Sequence, residues 1–158
     1  RQRQMCIRDS SYLELYQFRY GSRMKYEISI PDEVYRYATI KHILQPVIEN
    51  ALIHGIQDTG TDEHPSAISI SAEKKGEDIL FFVRDDGCGI PEEYQRSIFH
   101  PFFRVDKSRS REYGGAGLGL ALVWEIAELH GGFVWVEESS EKGTTIAVGL
   151  PTQQSTKP

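Results

Sequence analysis

Gln45-Pro46-Val47-Ile48-Glu49-Asn50-Ala51-Leu52-Ile53-His54-Gly55 reads as an apolar helix with a polar edge. Val47, Ile48, Ala51 and Leu52 recur at helical spacing and give it a face for a core. Glu49 and Asn50 interrupt that face. Asn50 and His54 stand four apart, on one side of the helix. An amide oxygen such as that of Asn50 is a neutral hard ligand, suited to a magnesium ion that also holds nucleotide phosphates. The helix is expected over residues 39–55, with a kink at Pro46, which has no N–H for the preceding turn.

Downstream, Ala67 to Ala72 alternates, with Ile68 and Ile70 on one side, and Asp78 to Arg84 is an apolar strand. Gly76 marks the turn of this hairpin, whose loop is expected to exceed the two-residue ideal. Asp85-Asp86-Gly87-Cys88-Gly89-Ile90-Pro91 follows the second strand. A carboxylate at Asp85 can accept a hydrogen bond from an exocyclic amine such as that of adenine. Gly87 and Gly89 let the backbone approach a ring closely. Pro91, Glu92 and Glu93 open a short helix. Phe99 to Tyr113 mixes aromatics with dense charge and no period, the mark of a mobile surface loop.

Gly114-Gly115-Ala116-Gly117-Leu118-Gly119-Leu120 then runs into a helix, where free N–H groups and the helix dipole suit phosphate. It is neither a dinucleotide fingerprint, because residue 120 is Leu, nor a P-loop, because no Gly-Lys-Ser/Thr follows. Leu118, Leu122, Ile126 and Leu129 are expected as the buried stripe of this helix, which Gly131 and Gly132 terminate. Phe133–Glu137 and Thr144–Leu150 alternate as strands, and Gly143 with Thr144 adds a small donor in the turn between them.

Upstream, Tyr12 to Tyr20 reads as the end of a helix stopped by Gly21, and Lys25 to Ile30 as a strand ended by Pro31. Residues 1–10 have no period and resemble translated sequencing-adapter read-through, so we read them as a non-native leader. Residues 11–37 form a preceding segment with the first strand, 38–151 the main domain, and 152–158 a disordered tail. Strands that cluster in pairs favour an α+β fold: two layers, with a mixed sheet and helices on one face.

The 158 residues suit one domain, and 39% hydrophobic content suffices for a core. A net charge of −5 without a basic stripe argues against a nucleic-acid partner. Cys6 and Cys88 have no metal-ligand spacing. No apolar run approaches the roughly 20 residues of a membrane span.

The set is more specific than its parts. An Asn helix, Asp-x-Gly-x-Gly after a strand, Gly-x-Gly-Leu-Gly-Leu before a helix, then Gly-Thr-Thr, in that order, resembles the ATP-binding domain shared by sensor histidine kinases, DNA gyrase, MutL and heat-shock chaperones. The resemblance implies the Bergerat (GHKL) fold, with a mobile ATP lid over Phe99 to Gly114. It implies that Asn50 binds Mg²⁺, that Asp85 contacts adenine, and that Gly117, Leu118 and Gly119 meet the phosphates of ATP through their backbone. Further nucleotide contacts are implied at His54, Gly87, Gly89, Ile90, Phe99, Lys107, Gly115, Leu120 and Thr144, with Arg104 and Arg109 as other lid cations. Asp86 stands where many relatives have Asn, and adds charge repulsion to Asp85.

Members that hydrolyse ATP place a Glu base four residues before the magnesium Asn. Here that position is Pro46, so phosphoryl transfer to a protein side chain fits better than water activation. Asn50 and Glu49 are then the catalytic pair, Glu49 orienting the incoming imidazole. Tyr12-Leu13-Glu14-Leu15, Leu44-Gln45-Pro46, Glu49-Asn50-Ala51 and His54-Gly55 look like the YesM/LytS-type sensor kinases. Phe102 to Ser110 with Gly-Gly-Ala-Gly-Leu-Gly-Leu looks like the lid of the commoner sensor kinases. The chain is thus either a natural mosaic or two joined fragments. None of its five histidines has a phosphoacceptor context.

The reading is therefore the catalytic domain of a bacterial two-component sensor kinase. Its expected partners are an upstream phosphoacceptor histidine domain, a response regulator and a second copy in a full-length homodimer. It is expected to be cytoplasmic, reaching the membrane only through upstream segments. The alternatives are a GHKL-type ATPase, a nucleotide-binding interaction module, and an anti-sigma serine kinase.

Overall fold

In the computed structural model the described residues are 3–37, 40, 42–59, 61, 63–105 and 116–152; of residues 3–11 and 55–59 the backbone alone is described. Helix α1 (Arg3–Tyr20) leads into strand β1 (Met24–Ser29), and α2 (Gln45–Thr59) into the hairpin β2 (Ser66–Lys75) and β3 (Asp78–Asp85). Helix α3 (Gly119–Leu129) is followed by the hairpin β4 (Phe133–Ser140) and β5 (Gly143–Pro151). The five strands form one sheet in the order β1-β2-β3-β5-β4. β1 runs parallel to β2, and the other neighbours are antiparallel. This is the expected mixed sheet of an α+β fold.

The alternation of the strands decides which face is covered. Ile68, Ile70, Ile79, Phe81, Val83, Ile146 and Val148 point to one side and share a core with Val47, Ile48, Ala51 and Leu52 of α2. Burying each such aliphatic side chain contributes about 1.5–3 kcal/mol. The opposite face carries a small aromatic roof, in which Trp135 stacks on Phe133 at 5.1 Å and meets Phe82 edge-on at 6.5 Å. Ala147, paired with both Phe82 and Trp135, is fully buried beneath it.

Several boundaries differ from the sequence expectation. Helix α1 begins at Arg3, inside the stretch read as aperiodic. Helix α2 begins at Gln45, so Pro46 occupies its first turn. A first-turn proline breaks no hydrogen bond and needs no kink, because that N–H would have no partner in the helix anyway. The same helix runs on to Thr59, past Gly55. The first hairpin turns through Gly76 and Glu77 alone, since Lys75 pairs with Asp78. Gly76 takes a φ of 62° there, and the polar run Glu73-Lys74-Lys75 extends β2 rather than forming loop. Thr152, read as tail, is pinned: its amide and hydroxyl donate to the Glu77 carbonyl at 2.7 and 2.8 Å.

The largest difference is on α3. Leu118, Leu122 and Leu129, expected in its buried stripe, are 43%, 54% and 79% exposed. Leu120, Ala121, Val123 and Ala127 are buried instead. The helix is apolar nearly all round, so two stripes satisfy the same period, and the one containing two alanines lies against the body of the domain. Its end matches expectation: Gly131 has a φ of 74°, and the Gly132 amide donates to the Ala127 carbonyl at 2.7 Å. No helix among the described residues is long and apolar enough to cross a membrane.

Candidate functional site

Helix α2 lies between the two glycine segments. At one end, a methyl group on Gly87 would come 3.0 Å from the His54 carbonyl oxygen. At the other, a methyl on Gly119 would come 3.3 Å from Cβ of Pro46. Pro46 and His54 are separated by about 12 Å along the axis at 1.5 Å per residue. Asn50 stands midway between them. One helix therefore spaces a carboxylate, beside His54, from a set of helix-start amides beside its first turn, with the Asn50 amide between.

The carboxylate belongs to Asp85, the last residue of β3, only 7% exposed. Its Oδ1 accepts the Gly87 amide at 2.9 Å. Burial pushes the Asp85 carboxyl above the ordinary range. Hydrogen bonds from the Gly87 and Thr144 amides and the charge of His54 oppose that rise, and the neighbouring Asp86 adds to it least. The expected repulsion from Asp86 is thus present and minor. Asp86 is turned away to β2, where its Oδ2 accepts the Ala67 amide at 2.8 Å.

Close packing around Asp85 explains the glycines. A methyl on Gly143, at φ 123°, would overlap the Asp85 carbonyl oxygen. A methyl on Gly89, at φ 78°, would overlap the Ser140 carbonyl oxygen. The Ile90 amide donates to Ser139 Oγ at 2.7 Å, and Ser139 Oγ lies 3.0 Å from Thr144 Oγ1. Thr144 is buried and paired with Asp85 across the ladder. Ser139 is therefore a structural part of the site that sequence reasoning passed over, and Gly143, expected only as a donor beside Thr144, is held to glycine by space. The φ demanded at Gly143 and the hydroxyl next to Thr144 are visible only once the hairpin is paired.

At the opposite end, the Phe102 amide donates to the Gly117 carbonyl at 2.8 Å. Both residues have positive φ, 65° and 70°. A methyl on Gly117 would come 2.9 Å from the Phe103 carbonyl oxygen. No described side chain caps the first turn of α3, which starts at Gly119, so its amides are open to an anion. Leu118 and Gly119 are exposed there, and Leu120 is buried. Phe99 is only 6% exposed and packs on Trp124 at 5.4 Å, so it braces this end from within the core. Lys107, Arg109 and Gly115 lie outside the described residues, as does most of the lid.

Glu49 is half-buried and accepts Gln45 Nε2 at 3.0 Å. Burial first, and then the Tyr16 and Glu49 side chains, push the Tyr12 hydroxyl of α1 above the usual phenol range. Asn50, the next residue, is half-buried on α2. No cluster of three or more His, Cys, Asp or Glu that could hold a metal occurs among the described residues. The Asn50 amide offers a single neutral oxygen, a donor that would fit an ion which keeps several waters and takes its other oxygens from phosphate.

Residues 36–154 match the model of the histidine kinase-, DNA gyrase B-, and HSP90-like ATPase family. The chain is 36% identical over 115 residues to the sensor histidine kinase WalK of Bacillus subtilis, covering 73% of this chain and 18% of WalK. It is 32% identical over 149 residues to the circadian input-output histidine kinase CikA of Thermosynechococcus vestitus, covering 94% of this chain and 20% of CikA. The chain thus spans about a fifth of these relatives. Among solved structures, the nucleotide-free catalytic domain of histidine kinase ThkA superposes with a TM-score of 0.68 at 25% identity, covering 96% of this chain and 93% of that one. ThkA has also been solved in complex with the response regulator TrrA. The chain belongs to the histidine kinase-, DNA gyrase B-, and HSP90-like ATPase family and is similar, within it, to the catalytic domains of sensor histidine kinases.

Proposed function

We propose that this chain is the ATP-binding catalytic domain of a two-component sensor histidine kinase, passing the γ-phosphoryl group of ATP to a histidine outside residues 1–158. The observation that carries this is the spacing along α2 of the Asp85 segment, beside His54, from the α3 start, beside Pro46, with Asn50 between. Asp85 takes the adenine amine, with Gly87 and Gly89 giving the ring close backbone approach. The amides at Gly117, Leu118 and Gly119 take the phosphates, and Lys107 and Gly115 extend that set. Asn50 supplies the protein oxygen to Mg²⁺, which when bound offsets phosphate charge. Histidine transfer is favoured over hydrolysis because Pro46 occupies the position of a water-activating Glu. A response regulator and a second copy of the whole protein are the partners this reading requires.

The test is a titration of the chain with a fluorescent ATP analogue, with and without Mg²⁺, beside Asn50→Ala and Asp85→Ala. Magnesium-dependent binding lost in both variants is expected. Labelled ATP and the phosphoacceptor domain of a relative should then yield acid-labile phosphohistidine. Steady hydrolysis without transfer would place the chain among the ATPases instead.

A further inference from the structure

The face of the sheet turned away from the core carries, toward its β1 edge, an open cleft of about 320 Å³. Ala67 and Ser69 of β2 form its floor, with Lys25 and Glu27 of β1 on one side and Arg84 and Asp86 on the other. Tyr26, Ile68 and Val83, which alternate with them, pack in the core, so the cleft residues point the other way. Strand register arranges the charges in two rows. In one, Lys25 lies opposite Ala67, whose amide donates to Asp86 Oδ2 at 2.8 Å. In the other, Glu27 lies opposite Ser69, and Ser69 opposite Arg84. Across the strands the rows run cation–small–acid and acid–small–cation, a checkerboard with no net charge.

Contacts within the chain leave this pattern largely unused. Arg84 meets Glu138, on the β4 side, at 3.4 Å. Among the described residues Lys25 and Glu27 form no ion pair, and Asp86 Oδ1 is buried without a hydrogen-bond partner. A partner of one sign, such as a phosphate backbone or an acidic peptide, would meet as many repelling charges as attracting ones. A second copy of the chain would not. Turned over about an axis in the plane of the sheet, along the strands or across them, the checkerboard sets each cation against an acid. That is the self-complementarity of a two-fold interface. Ala67 and Ser69 leave room between the rows for the longer side chains of the other copy.

We propose that this cleft is a self-association surface, on which a second copy of the chain docks face to face through Lys25, Glu27, Arg84 and Asp86. Exposed ion pairs are individually weak, so the contact is weak and salt-sensitive. It suits chains already tethered elsewhere, where the effective concentration is millimolar. Such a tether is the homodimer of the functional reading above, but the surface itself needs no nucleotide.

The experiment is sedimentation equilibrium of the full chain, over concentrations reaching the millimolar range. A monomer–dimer equilibrium is expected, weakened roughly tenfold between about 0.05 M and about 0.5 M salt. Lys25→Glu with Arg84→Glu makes the face acidic. Glu27→Lys with Asp86→Asn makes it basic and keeps an acceptor for the Ala67 amide. Each double variant should stay monomeric alone, and an equimolar mixture should form the mixed dimer. Lys25→Glu alone, on the edge strand, should also weaken association, which guards against misfolding of the Arg84 variant beside Glu138. Melting curves check that each variant folds. A chain that stays monomeric at every concentration and both salts overturns the proposal. So does self-association that survives in the acidic variant, or a mixture that forms no dimer. Loss of ATP-analogue binding would overturn the functional reading and leave this surface standing.

Discussion

At the scale of single residues, Asp85 is a carboxyl that its surroundings push toward the neutral form. Its folded pKa is raised by burial. A raised carboxyl favours folding fully below its unfolded pKa, about 3.9, and that contribution is lost as pH rises through the higher folded value. Above that folded value the ionised group costs stability in the unliganded chain. Asp85→Asn should melt no lower than the parent at pH 7, and the difference should vanish as pH falls toward 4. It should also bind ATP at least about tenfold more weakly, a loss of roughly 1.4 kcal/mol. Melting curves across pH, set beside a binding titration, check both. Gly143 is governed by space instead. Gly143→Ala combines a positive φ with overlap on the Asp85 carbonyl and should cost about 3 kcal/mol or more, read as a lower urea midpoint. The carboxylate was legible in the sequence because it ends a strand and precedes Gly-x-Gly. The demand at Gly143 was not, because its partner lies 58 residues away (143 − 85) on another strand.

Among the elements, what could be read depended on whether a pattern had one solution. Strand faces follow from a period of two and came out as expected. The polar stretch after Ala72 hid three further residues of β2, which pair in the ladder regardless of their polarity. Helix α3 offered two apolar faces, and packing chose between them. Val123→Ala, in the buried face, should therefore cost about 2 kcal/mol. Leu129→Lys, in the face read from the sequence as core, should change stability by no more than about 0.5 kcal/mol. Chemical denaturation of the two variants separates these outcomes. On α2, Pro46→Ala should leave helix content unchanged by circular dichroism and lower stability by at most about 1 kcal/mol, since no kink depends on the proline.

For the molecule as a whole, binding and stability are linked. Magnesium ATP at about 100 times its dissociation constant should add roughly 2.7 kcal/mol to unfolding, visible as a higher melting temperature that Asn50→Ala abolishes. The strand pairing also divides the chain unevenly. β2–β3 and β4–β5 close through two-residue turns, whereas β1 reaches β2 only by way of α2. Local closures form early, and connections that must wait for a helix to dock form late. The helix that spaces the candidate site is itself that crossover. Amide hydrogen exchange should accordingly find β1 and α2 opening together, at lower free energy than the β3–β5 ladder. The site then belongs to the part of the chain that assembles last and loosens first, and a bound nucleotide would act as the final stitch in the fold.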